Sequence, residues 1–178
     1  MDAVIFIVRT LLQLLLVIVF LLRVLLPLVR ADSRNQLSQA VIRLTNPLVL
    51  PLRRILPPMG KVDTASLVAL LIVQFATTAT LWLLKAFPWV VTFGQFVQIA
   101  LFSLLLTILQ FYTFAILLYI LLSWIAPGAY SPGAALLSSL CEPILRPVRR
   151  VIPPIAGIDF SALFVIVGLQ ALYILITP

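Results

Sequence analysis

Two arginine pairs and two aspartates carry most of the chemistry this chain can do. Arg53 and Arg54 precede Asp63 by about ten residues, and Arg149 and Arg150 precede Asp159 at the same spacing. A guanidinium offers a planar fork of N–H donors that fits a carboxylate or a phosphate. An aspartate can close an ion pair with it or cap a helix. The segments 46–63 and 142–159 align without a gap at an offset of 96 residues. Seven positions are identical: Pro47/Pro143, Pro51/Pro147, Arg53/Arg149, Arg54/Arg150, Pro57/Pro153, Pro58/Pro154 and Asp63/Asp159. Most other positions exchange one aliphatic residue for another, and the glycine slips by one, from Gly60 to Gly157. Prolines, paired arginines and an aspartate at fixed spacing mark an internal repeat.

Enzyme chemistry finds little support. The chain has no histidine and only five acidic residues, none forming an evident catalytic pair. There is no glycine-rich phosphate loop and no metal-ligand cluster. Cys141 is the single cysteine, so an intramolecular disulfide is excluded and buried filler is the plain reading. The expectation is a non-enzymatic protein with no catalytic residues, no metal and no cofactor.

Composition indicates the solvent. The chain is 63% hydrophobic and 10% charged, with a mean hydropathy of +1.25. A water-soluble domain carries about a quarter of its residues charged. No charge falls between Lys85 and Glu142 or after Asp159. Both stretches are long enough to cross a bilayer, which takes about 20 apolar residues. The net charge of +7 then reads as topology and anionic-headgroup contact, which disfavours direct nucleic-acid binding. Residues 3–28 exceed the apolar region of a signal peptide and lack a small-residue cleavage site, so they read as a retained membrane helix.

These signals predict an all-α membrane protein of four transmembrane helices, near Ala3–Val29, Thr64–Leu84, Phe96–Ile125 and Phe160–Thr177. The repeating unit is helix, basic proline-rich connection, helix. Residues 1–85 form the first unit and 86–178 the second. Two crossings per unit give parallel repeats, related by an axis along the membrane normal. Most Lys and Arg lie in the two connections, which predicts that these are cytoplasmic and that both termini are periplasmic. Arg9 and Arg23 are 14 residues apart, close to four helical turns, so they should share a face and snorkel to opposite interfaces; the alternative, Arg23 facing the bundle interior, is disfavoured by its uncharged repeat counterpart Tyr119.

Each connection divides in two. Ser33–Thr45 carries Leu37, Ala40, Val41 and Leu44 at helical spacing, which predicts an interfacial amphipathic helix capped by Asp32 or Ser33. Ser131–Cys141 is its counterpart, with Ser131 as cap, Pro132 in the first turn, and Leu136, Leu137 and Leu140 as the apolar face. The prolines then predict a stiff hairpin, ended outright by Pro57-Pro58 and Pro153-Pro154. Asp63 and Asp159 should cap the following helices, with Asp63 able to pair with Arg53 or Arg54.

The pattern Pro-x3-Pro-x-Arg-Arg-x2-Pro-Pro, followed by a glycine and Asp between two hydrophobic helices, resembles the YggT family, also called YlmG-like proteins. The resemblance covers both units. Family members often carry Ser-Pro shortly after the aspartate, whereas Thr64-Ala65-Ser66 and Phe160-Ser161-Ala162 stand here. The resemblance implies an integral protein of the bacterial inner membrane. It associates bacterial relatives with osmotic-stress tolerance, ion uptake or division, and plastid relatives with cytochrome assembly and nucleoid distribution. With no histidine here, any part in cytochrome assembly would be indirect.

Two functions follow. The first is a membrane organiser or stress-tolerance factor. In it Arg53, Arg54, Arg149 and Arg150 dock anionic lipids or a protein partner, held in shape by Asp63, Asp159 and the prolines. The second is a transporter or channel component using Gln74 and Gln170, which are repeat equivalents, together with Gln13, Gln98 and Gln110. A single four-helix chain is narrow for a channel, so that role would call for a homo-oligomer. Glutamines also bond helices together, which is the plainer reading.

Overall fold

The computed structural model describes residues 2–57, 62–84, 92–125, 131–151 and 160–177, and the elements among them are helices. Helix α1 (Asp2–Leu11) runs through a π-helical segment (Leu12–Val17) into α2 (Ile18–Leu28). The others are α3 (Gln36–Ile55), α4 (Thr64–Leu83), α5 (Phe93–Ile125), α6 (Pro132–Val151) and α7 (Phe160–Ile176). Three stretches are long and apolar enough to cross a membrane: Ala3–Leu28, Thr64–Leu83 and Phe93–Ile125. The apolar helix α7 has 17 residues, short of that length. Helix α5, with 33 residues, is about 50 Å long at 1.5 Å per residue, well beyond the ~30 Å hydrocarbon layer.

The described residues cluster into two compact units, residues 1–28 with 40–107, and 29–39 with 108–178. In the first, α4 packs against the α1–π–α2 rod. Its buried stripe runs Ala65, Ser66, Ala69, Leu70, Val73, Gln74, Thr77, Thr78 and Leu81. The many small residues let backbones approach closely, which replaces the missing hydrophobic drive between helices in lipid. Phe75 of α4 stacks on Phe96 of α5, with ring centroids 6.0 Å apart. In the second unit, Ala115 and Ile116 of α5, Cys141 and Leu145 of α6, and Ala162 and Val165 of α7 form a continuous core. Large apolar side chains such as Phe6, Leu83, Phe102, Phe164 and Leu175 face outward, as suits lipid.

Three expectations are corrected. First, the prolines at 47, 51, 143 and 147 do not build hairpins. Helix α3 continues through Pro47 and Pro51, and α6 through Pro143 and Pro147. All four prolines are exposed. A helical proline removes the bond to the carbonyl four residues back. On an exposed face, water or headgroups can satisfy that carbonyl, so the helix survives a cost of about 3 kcal/mol per proline. Helix α3 stops at Ile55, and Pro57 is already non-helical, while α6 is described as far as Val151. Pro58, Pro153, Pro154 and Asp159 lie outside the described residues.

Second, the cap of α3 is Asn35, whose Oδ1 accepts from the Leu37 N–H at 2.9 Å. Asp32 instead accepts from the Arg34 N–H at 2.8 Å and holds the preceding turn, after Arg30 in the left-handed region (φ 53°). The buried face of α3 is Ser38, Val41, Thr45 and Val49. Leu37, Leu44, Pro51 and Ile55 form a separate exposed stripe at i, i+7, i+14 and i+18, with Leu44 68% and Ile55 78% accessible. The single apolar face expected from sequence is therefore two faces, one against protein and one suited to the headgroup–acyl boundary. In α6 the expected cap does form, from Ser131 Oγ to the Ala134 N–H at 3.1 Å.

Third, Arg23 does not snorkel out as expected. Arg9 is exposed, whereas Arg23 is buried at 5% accessibility. The π-helical segment between them turns more slowly per residue than an α-helix and shifts the register.

Candidate functional site

The two arginine pairs occupy the same place in their helices. Arg53 and Arg54 fill the last turn of α3, and Arg149 and Arg150 the last turn of α6. Cations there complement the negative helix end. In each pair one arginine is anchored and its neighbour faces out.

Arg53 pairs through Nη2 with Oδ2 of Asp63. Asp63 is the N-cap of α4: its carboxylate accepts from the Ser66 N–H at 3.4 Å and the Ser66 hydroxyl at 2.7 Å. The Thr64 hydroxyl donates to the Pro57 carbonyl at 2.8 Å, which ties the chain after α3 to the start of α4. Burial alone would raise the Asp63 carboxyl. The bonds from Arg53 and Ser66 and the guanidinium charge more than offset it, so Asp63 sits below the ordinary carboxylate range.

Arg149 meets Glu142 and Tyr119. Its Nη1 meets Glu142 Oε2 at 2.9 Å, its Nη2 donates to the Tyr119 hydroxyl at 3.4 Å, and its guanidinium lies 5.9 Å from the Tyr119 ring centroid. Glu142 and Tyr119 were not legible in this role from the repeat, because their equivalents at the 96-residue offset are Asn46 and Arg23. Arg146 also approaches Glu142, at 3.7 Å. Arg54 and Arg150 are exposed and have no ion-pair partner among the described residues.

Arg23 faces inward, the alternative to snorkelling that its uncharged repeat counterpart Tyr119 had disfavoured. Its Nη2 reaches Asn46 Oδ1 at 3.5 Å, the long limit of a hydrogen bond. It borders a cleft of about 240 Å³ together with Leu26, Pro27, Ile42 and Arg53.

The glutamines separate. Gln170 Nε2 donates across to Thr113 Oγ1 of α5 at 3.3 Å, a helix-to-helix bond. Among the described residues Gln74 reaches only Thr78 of its own helix, at 3.5 Å, and its Oε1 and the Thr77 hydroxyl lack partners. Gln98 and Gln110 are exposed, and Gln13 is half-buried. Cys141 is buried with a free thiol. Burial pushes that thiol up to about 11, although the charge of Arg149 pulls the other way. Among the described residues no group of three or more His, Cys, Asp or Glu could hold a metal.

Apolar helices of spanning length, joined to proline-bearing helices with arginine pairs in their last turns, define a class of helical protein with membrane-spanning potential. The chain belongs to the CCB3/YggT family, whose model matches residues 1–84 and 98–178. It is 40% identical to an uncharacterized protein of Pseudomonas aeruginosa, over 98% of this chain and 88% of that one. It is 36% identical to the uncharacterized protein YggT of Escherichia coli K12, over 86% and 79%. A protein of Vibrio alginolyticus is 33% identical over 96% and 91%. No solved structure matches the chain.

Proposed function

We propose that this chain is a non-enzymatic organiser of the bacterial inner membrane, serving assembly or osmotic-stress tolerance. It docks anionic lipids or a protein partner through α3 and α6. One observation carries the reading: in both helices one arginine of the terminal pair is fixed by neighbours while the next is exposed. The anchored arginine orders the helix end, and the exposed one meets the partner. A basic residue near an anionic surface contributes about 1 kcal/mol. The exposed apolar stripe of α3 supports an interfacial position for that helix.

In this reading α7 is a fourth crossing, the two sequence repeats are parallel units, and α3 and α6 are cytoplasmic with both termini periplasmic. The basic asymmetry of the sequence supports that orientation. The test is complementation of a deletion strain under osmotic stress, with protein abundance monitored. Arg→Lys at Arg53, Arg54, Arg149 and Arg150 keeps every charge but loses the guanidinium fork. It should preserve insertion and abolish complementation. Full activity would reduce the arginines to topology signals.

A second reading, an ion-transport component, is favoured by the buried Gln74, Thr77 and Thr78 of α4 with two unpaired acceptor atoms. Ion flux in proteoliposomes separates the two. Flux that disappears on changing Gln74 to Leu, at normal protein abundance, would promote transport.

A further inference from the structure

A buried arginine ordinarily has a carboxylate beside it, because desolvating a charge is unfavourable unless it is paired and hydrogen-bonded. Arg23 is 5% accessible and, among the described residues, has no carboxylate partner. Among the described residues its hydrogen bond is the long contact to the neutral Asn46. The second arginine bordering the same cleft, Arg53, has a single carboxylate, Asp63, which also caps α4. Two guanidinium groups thus share one carboxylate, leaving one positive charge uncompensated. The rest of the cleft wall, Leu26, Pro27 and Ile42, is apolar.

We infer that Arg23 and Arg53 clamp the phosphodiester of a membrane phospholipid in the cleft between α2 and α3. The depth of Arg23 favours a lipid over a free anion. It lies five residues inside the end of α2 at Leu28, about 7.5 Å along the axis. That is a short step below the boundary the helix crosses, within reach of a guanidinium extending toward the headgroups. A lipid phosphate arrives there with glycerol and acyl carbons attached, which the apolar wall accepts. A hydrated free phosphate would leave that wall against water. One negative charge, as on phosphatidylglycerol, balances the cluster. The site is particular to the first half of the chain, because the residue 96 positions after Arg23 is the uncharged Tyr119, which serves as a partner of Arg149.

The inference rests on the lipid half of the proposed function, and its test does not depend on any stress phenotype. The full chain in mild detergent is titrated with phosphatidylglycerol and the bound lipid counted by native mass spectrometry. Diacylglycerol and inorganic phosphate serve as parallel probes. One phosphatidylglycerol should be held in preference to diacylglycerol. Arg23→Tyr should weaken it by about tenfold, the scale of losing a charge-assisted hydrogen bond. Arg43→Gln, exposed on α3 and outside the cleft, should leave it unchanged. Arg23→Lys, which keeps the charge if the tyrosine variant does not fold, should weaken it several-fold because the fork is gone. Undiminished lipid retention in Arg23→Tyr or Arg23→Lys would overturn the clamp. So would diacylglycerol binding as tightly, or inorganic phosphate protecting the site equally well. Loss of the clamp alongside a continuing requirement for arginine at positions 54 and 150 in complementation would leave the docking reading standing without it.

Discussion

Asp63 joins three functions in one carboxylate: it caps α4, binds the Ser66 hydroxyl and pairs with Arg53. Substitutions should separate them. Asp63→Asn keeps the cap and loses the ion pair. Because Arg53 is 44% accessible, solvent screening limits the loss to about 0.5–1 kcal/mol. Asp63→Ala removes the cap as well and should cost about 1–2 kcal/mol. Denaturation in detergent measures both. The pH dependence has a definite sign. Asp63 is depressed in the folded state, so its contribution is complete above the unfolded carboxylate value. It is lost only as pH falls through the lower folded value. Stability should therefore show no Asp63-dependent change between neutrality and about pH 5. A loss in that interval absent from Asp63→Asn would contradict the assignment. Cys141 gives a second prediction at this scale. A buried thiol raised to about 11 carries almost no thiolate at neutral pH. Cys141 should resist thiol reagents in intact membranes and in permeabilised ones alike, reacting only on unfolding. Its labelling therefore reports folding and says nothing of membrane side.

At the scale of elements, α3 and α6 are helices despite their prolines. Each has 20 residues and two exposed prolines four apart. If the prolines only burden the helix, Pro47→Ala with Pro51→Ala should stabilise the protein, by up to about 3 kcal/mol per site. Function should then persist. If the carbonyls they free matter to the headgroup layer, the same variant should melt higher yet fail complementation. A lower melting temperature would contradict both. Helix packing gives an asymmetric prediction for the glutamines. Gln170→Leu breaks a bond between α7 and α5 and should cost about 0.6 kcal/mol, the average for such bonds in membranes. Gln74→Leu breaks no bond to another helix and removes a buried unpaired acceptor. Its effect on stability should be neutral or favourable. Equal losses at the two positions would show that Gln74 has acquired a partner in the membrane.

For the whole molecule the decisive quantity is orientation. The proposed topology places the link before α3 in the cytoplasm and the C-terminus outside. Ser33 and Thr177 are exposed, so cysteines introduced there can answer an impermeant thiol reagent. In intact spheroplasts Thr177→Cys should label and Ser33→Cys should not, both labelling after permeabilisation. The inert Cys141 leaves the background clean. A protected residue 177 would reverse the face on which α3 and α6 dock their partner.

The sequence by itself determined the apolar helices, the motif and the family. Each depends on local chemistry: hydropathy over a bilayer's length, proline and arginine spacing, and a helix-capping aspartate. The expected spans 3–29, 64–84 and 96–125 differ by only a few residues from the helical stretches found. The misses have a common cause, since they turn on what surrounds a residue. Proline's local preference signalled a hairpin, but exposure of Pro47, Pro51, Pro143 and Pro147 lets the freed carbonyls be satisfied and the helices continue. Helical spacing from Arg9 pointed Arg23 to the interface, but after the π-helical segment it is buried. The repeat matched Arg53 with Arg149, but it could not foretell Glu142 and Tyr119 beside Arg149, because the residues at their repeat positions are Asn46 and Arg23. Only tertiary structure decides such partners, because an ion pair or a buried charge depends on distances between segments that chain spacing does not fix.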